Sequence, residues 1–190
     1  MFVRREETES KGNLAGFIIE AESDIYVSVR FNSNATNGGN QYHAGALVSK
    51  GDSGFGTRFR AGALQNQTGA HMNFASIMAT ENNTNVSITV PQDVELLSGA
   101  TGTIQVTLDY GPTYVVAAEQ NNTLNSREGI IGTLIESDKS IVVNSGSGTG
   151  SFTADEGGQD YGIDQIVGRE LVGNEYIFIR GEGDLSLIHI

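Results

Sequence analysis

Val86-Ser87-Ile88-Thr89-Val90 and Ile104-Gln105-Val106-Thr107-Leu108 alternate apolar and polar residues without a break. A period of two sends successive side chains to opposite faces of an extended chain, so each run reads as a strand with one dry and one wet face. Turn chemistry separates such runs. Glu81-Asn82-Asn83-Thr84-Asn85 stands between Phe74–Ala79 and Val86–Val90, and asparagine tolerates the left-handed backbone that tight turns use. Asp109-Tyr110-Gly111-Pro112 divides Ile104–Leu108 from Thr113–Ala118, and Ser137-Asp138-Lys139-Ser140 divides Gly132–Glu136 from Ile141–Asn144. Each reads as the reversal of a hairpin. No segment keeps a helical period over three turns, and the one helical stretch, Gln92–Leu97, is too short to matter. The 25 glycines against 2 prolines fit many turns rather than long helices. The chain reads as all-β.

An internal repeat extends this reading. Gly16–Ser28 aligns without gaps on Gly132–Asn144, at an offset of 132 − 16 = 116. The glycine, the Ile-Glu pair and the later isoleucine are identical, and Glu22 faces Asp138 at the expected turn. Downstream, Gly56-Thr57-Arg58-Phe59 falls near Gly173-Asn174-Glu175-Tyr176, one residue out of step. The order predicted is two related units, 14–62 and 129–183, around a different one, 74–118. The segments 16–28 and 132–144 should be superposable hairpins, turning at Glu22–Ser23 and Asp138–Lys139. Antiparallel meander units of about 40 to 50 residues are the size of propeller blades, so a partial β-propeller is expected, with a β-sandwich as the alternative.

Charge and composition exclude several classes. The net charge of −12 repels phosphate backbones, which argues against nucleic acid as a partner. No run approaches the roughly 18 apolar residues of a membrane span, so membrane insertion is not expected. With no cysteine, neither disulfides nor thiolate metal sites contribute. Three histidines, His43, His71 and His189, are too far apart to form a zinc motif by spacing.

Motifs with chemical meaning fail on inspection. Gly51-Asp52-Ser53-Gly54 matches the core of a serine-protease nucleophile loop, which also needs a histidine base oriented by a buried carboxylate. His43 lies only ten residues upstream, His71 follows, and neither has that context. The stretch reads instead as a glycine-rich loop entering a strand. Ser145–Gly150 lacks the lysine and helix of a phosphate-binding loop and reads as a flexible loop after Ile141–Asn144. Asp155, Glu156, Asp160 and Asp164 cluster in sequence without calcium-loop spacing. Hydrogen bonding of Asp164-Gln165 to a neighbouring loop, calcium binding and plain solvation all remain readings of them. Phe31, Tyr42, Phe55, Tyr110 and Phe152 sit in or beside loops and are candidates for a binding surface. No catalytic, cofactor or metal residue is assigned, and no enzyme activity is expected.

Three segments in order carry a resemblance: Phe74–Thr84, Ile135–Val143, and Asp160–Val167 followed by Gly173–Ile179. Over residues 14 to 184 the chain resembles the IgGFc-binding-protein N-terminal domain, and within it the bacterial branch found in large surface proteins of Bacteroidota-type gliding bacteria. Animal members carry cysteines just before the segment matching Asp160–Val167, where this chain reads Gly146–Phe152, so a cross-link expected there is absent. The resemblance implies a secreted, non-catalytic module of a large cell-surface protein, serving adhesion, ligand presentation or spacing. Its partners would be a protein or glycan at the cell surface and neighbouring repeats of the same parent protein. The alternative is a hydrolase on an all-β scaffold. Residues 1–13 are polar and lack an apolar signal core, so a signal would lie outside this sequence. Leu185–Ile190 departs from the family pattern and reads as a non-native tail of translated adapter sequence, the alternative being a short terminal strand.

Overall fold

A computed structural model of the chain describes residues 8–9, 12–34, 42–66, 72–119, 127–150, 160–175 and 177. They form ten strands: β1 (Gly12–Ala15), β2 (Ser28–Asn34), β3 (Tyr42–Val48), β4 (Gly56–Arg60), β5 (Met72–Ala79), β6 (Thr84–Thr89), β7 (Thr103–Leu108), β8 (Pro112–Glu119), β9 (Leu134–Gly150) and β10 (Asp160–Ile166). All strand pairs are antiparallel. The all-β reading holds.

The 17-residue β9 is the spine of an eight-stranded sheet. Along one edge it pairs β6 at residues 134–137 and β5 at 141–147. Because both run antiparallel to β9, β5 and β6 lie end to end as one long strand broken at residues 80–83. Beyond them β7 pairs β6 and β8 pairs β5, again end to end and broken at 109–111. On the other edge of β9 lie β4 and β10. Two long strands therefore break at the same level, beside residues 138–140 of the continuous β9, and the sheet curls into a half-barrel.

Side chains from each break satisfy the backbone of the next. Asp109 Oδ1 accepts the Asn83 N–H at 3.0 Å, and Asn82 Oδ1 accepts the Tyr110 N–H at 3.0 Å. Lys139 Nζ donates to the Asn82 carbonyl at 2.6 Å, and Thr80 Oγ1 donates to that of Ser140 at 2.7 Å. Asn83 (φ 55°) and Gly111 (φ 103°) supply the left-handed backbone the bends require.

This corrects the hairpin reading. Residues 81–85, 109–112 and 137–140 bend long strands and do not reverse them. Asp138–Lys139 lies inside β9, and residues 16–27 are irregular chain leading into β2, so 16–28 and 132–144 are not superposable hairpins. The sheets are antiparallel as expected, but the strands of the large sheet do not follow one another as a meander would: β9 joins strands of the 74–118 and 129–183 stretches in one sheet, where separate blades were expected. The local chemistry of a bend and a turn is the same. What differs is the neighbouring strand, which no local pattern contains.

The reading of Ser145–Gly150 as a flexible loop is also overturned. These residues continue β9 between β5 and β10. Glycine is needed at 146 because a Cβ there would run into the carbonyl oxygen of Gly162 on β10.

The core covers one face of the sheet. Ile77, Val86, Ile88, Tyr114, Val116, Ile135, Ile141 and Val143 share that face with Phe59 of β4, and Val94, Leu96 and Ile130 close over it from loops. Val90 and Leu108 are buried with them, Ile104 and Val106 are partly buried against the core, and Thr89, Gln105 and Thr107 face solvent. The period of two placed them correctly. Buried Asn73 ties the 127–133 loop to β5, donating from Nδ2 to the Glu128 carbonyl at 2.7 Å and accepting the Ile130 N–H at 3.0 Å. A separate two-stranded ribbon, β2–β3, rests on β10, with Gly45 against Tyr161.

Candidate functional site

Where the ribbon meets β10, an open groove of about 720 Å³ forms. Ile25 and Tyr26 stand on one side, Ala46–Val48 and Ser49–Gly51 on another, and Ile163 and Asp164 of β10 on the third. The Ser49 N–H donates to the Val27 carbonyl at 2.9 Å, which holds the Ile25–Tyr26 segment beside the end of β3. Leu47 is buried beneath, while Val48 and Ile25 are exposed and Tyr26 is 91% exposed. A lone exposed aromatic would mark nothing, but Ile25, Tyr26 and Val48 are three exposed apolar side chains lining one groove, and such a patch marks a contact surface.

Lys50 locks the polar rim. Its Nζ forms an ion pair with Asp164 Oδ1 at 2.7 Å and also donates to the Gln165 carbonyl. The Lys50 N–H donates to the side-chain oxygen of Gln165, which is only 7% exposed. Gly54 lies over this amide, and a Cβ there would stand 2.8 Å from Gln165 Nε2. The expected hydrogen bonding of Asp164-Gln165 to a neighbouring loop is thus found, and the loop is Ser49–Gly51. Nearby, Thr57 Oγ1 donates to Glu170 Oε1 at 2.7 Å, and that bond holds the Glu170 carboxyl below its usual range.

The other sequence candidates do not converge. Ser53 is exposed in a 3-10 turn, Gly51–Gly54, its N–H bonded to the Lys50 carbonyl at 3.1 Å. His71, Asp155, Glu156, Phe152 and the 185–190 stretch lie outside the described residues, as do the side chains of His43, Asp160, Phe31 and Tyr42. Phe55 and Tyr110 are exposed, as expected of loop aromatics. Among the described residues no group of three or more His, Asp or Glu is placed to hold a metal ion. No described helix is long and apolar enough to cross a membrane.

Tyr26 and Ile25 were missed as surface residues, as was Phe17, which is 87% exposed. All three fall in the stretch 16–28, read as a hairpin. Their apolar pattern is that of a core strand, but among the described residues their segment joins no strand ladder.

A family model described as IgGFc binding protein matches residues 44–188. No curated protein matches the chain, and no solved structure does. The matched span begins within β3 and takes in all the strands of the half-barrel except β1, together with the Lys50, Asp164 and Gln165 side of the groove.

Proposed function

The chain belongs to the IgGFc binding protein family, and on that premise we propose that it is a non-catalytic binding module, residues 14–184, of a larger extracellular protein. The groove between the β2–β3 ribbon and β10 is its ligand site. The ligand is a protein at a cell surface, with bacterial surface adhesion as the setting. One observation carries this reading: Tyr26 and Ile25 stand exposed beside a groove whose polar rim is already locked by Lys50, Asp164 and Gln165. A rim with its charges spent on each other favours an apolar contact over a charged small substrate. Binding residues carried by loops on a stiff β scaffold are a common arrangement.

The Ser53 turn fits the same reading. Nucleophilic catalysis needs a base within hydrogen-bond reach of an activated hydroxyl. The turn around Ser53 is explained by its own backbone bonding.

The test is photo-crosslinking in the parent protein on intact cells, with a benzophenone amino acid at Tyr26 and a control at Thr89. A protein adduct at position 26 and none at 89 is the expected result. Glycan-only labelling, or equal labelling at both positions, refutes the site. Hydrolytic turnover of a peptide or ester that Ser53→Ala abolishes would favour the hydrolase.

A further inference from the structure

The long strand formed by β7 and β8 is covered along only half its outer edge. Over β8 the cover is continuous: β1 pairs at Pro112 and Thr113, the Glu9 N–H donates to the Val115 carbonyl at 2.7 Å, and the Leu97 N–H donates to that of Ala117 at 2.9 Å. Over β7 there is none among the described residues, and β6 is its only strand partner.

The direction of the bare groups follows from register. The Val90 N–H donates to the Gly102 carbonyl at 3.0 Å, which makes 90 and 102 a hydrogen-bonded pair. The two-residue period then makes Ile88/Ile104 and Val86/Val106 bonded pairs as well. Thr103, Gln105 and Thr107 must therefore turn their backbone N–H and C=O groups away from β6, toward the open side. Native edges are normally blunted by a lysine, a proline, a bulge or a covering loop. The run Thr103–Leu108 has no charge and no proline, and its pairing with β6 is unbroken. Ile104 and Val106 are packed against the core but only partly buried, as the last row of an unfinished face would be.

We propose that β7 is a strand-addition edge occupied by β7 of a second copy of this chain, antiparallel and centred on Gln105. The strand is self-complementary about that residue. Thr103 falls opposite Thr107 of the second copy, Ile104 opposite Val106, and Gln105 opposite its own equivalent. All three outward-facing positions then meet as hydrogen-bonded pairs. The hydroxyl and amide side chains continue a ladder already present between β6 and β7, where Thr89 meets Thr103 at 3.0 Å, Gln105 meets Ser87 at 2.9 Å and Thr107 meets Asn85 at 2.9 Å. The core face continues through Ile104 and Val106. No like charges are opposed, since Asp109 falls opposite Thr101.

A single six-residue edge buries less than the roughly 1,200–2,000 Å² of a stable interface, so the dimer is weak and concentration-dependent. Each copy carries a net charge of −12, so added salt strengthens association by screening the long-range repulsion.

Because the chain has no cysteine, cross-linking reports on this edge directly. A bonded antiparallel pair has Cα atoms about 5.5 Å apart, inside the disulfide range of about 4.4–6.8 Å. Under mild oxidation Gln105→Cys should give a covalent dimer much faster than Thr89→Cys, an exposed position on the inner strand. In sedimentation equilibrium the unmodified 190-residue chain should show a reversible dimer. Gln105→Lys, which sets two ammonium groups face to face, should weaken it about tenfold or more. Thr107→Lys serves as a second variant, and far-ultraviolet circular dichroism checks that each remains folded. A chain that stays monomeric at every concentration and salt overturns the proposal. So does a dimer that both lysine variants leave intact, or a Gln105→Cys variant that links no faster than Thr89→Cys.

Discussion

Asn85 gives both its backbone N–H and its side-chain amide to the one carboxylate of Asp138, at 2.8 and 2.7 Å. Asn85 stands at the start of β6, just past the break from β5, and Asp138 lies beside it within β9. The pair bridges the two strands just past the last position of their ladder, where Val86 faces Ser137. Hydrogen bonds to the ionised carboxylate, the Asn85 side chain first and its backbone second, hold Asp138 below its usual pKa.

That depression has a direct consequence for acid stability. A carboxyl with a lower pKa in the folded chain stabilises it at pH values above its unfolded pKa, and the gain is lost as pH falls through the folded value. Asp138→Ala should therefore be less stable than the parent at neutral pH. The gap should close as pH drops below the ordinary carboxylate range. Urea midpoints measured from pH 7 down to pH 2 check this, and a gap that persists at the acid end would assign the effect to packing instead.

Core faces and edge should respond differently to truncation. Ile88 is fully buried on the middle of the sheet, so Ile88→Ala should cost about 2–4 kcal/mol through lost burial and a cavity. Val106 lies on the bare edge strand and is only partly buried, so Val106→Ala should cost about 1 kcal/mol. Equilibrium urea unfolding separates the two. Equal losses would mean that the β7 edge is covered.

Around the groove, the buried amide should matter more than the visible ion pair. The side chains of Lys50 and Asp164 are 32% and 61% exposed, and ion pairs at that exposure contribute about 0–1 kcal/mol. Gln165→Ala strips the Lys50 N–H of its buried acceptor, at a cost of about 1–3 kcal/mol. Chemical denaturation of Asp164→Asn and Gln165→Ala tests the order. A larger loss for Asp164→Asn would reverse the account of how the loop is held.

The parts of this fold that the sequence makes legible are those decided within a few residues. Val86, Ile88, Val90 and Leu108 are buried as their period of two requires, because alternation depends only on the strand's own geometry. The bends at Asn82–Asn83 and Gly111 were legible as places of special backbone, but not as bends. Whether a left-handed residue reverses a chain or kinks it depends on the next strand's partner, and that partner comes from far along the chain. The groove was half legible. Asp164-Gln165 pointed to a neighbouring loop, while Tyr26 wore the pattern of a core residue and became a surface one because its segment joins no strand ladder among the described residues.

Gly146 links the sequence reading to the site. It is buried where β9 and β10 approach so closely that any Cβ must push back the carbonyl of Gly162. Gly146→Ala should therefore cost about 1–3 kcal/mol through overpacking. The damage should be local in direction. Among the described strands β10 pairs in this sheet with β9, whereas β9 is also held by β5 along residues 141–147 and by β6 along 134–137. β10 is the side that yields, and it carries Ile163, Asp164 and Gln165 to the groove. Native-state hydrogen exchange on the variant should show amides of 162–166 losing protection while those of 86–88 and 134–137 keep theirs. Uniform loss across the sheet would mean that β10 and the half-barrel open as one unit, and the groove would then be as rigid as the core beneath it.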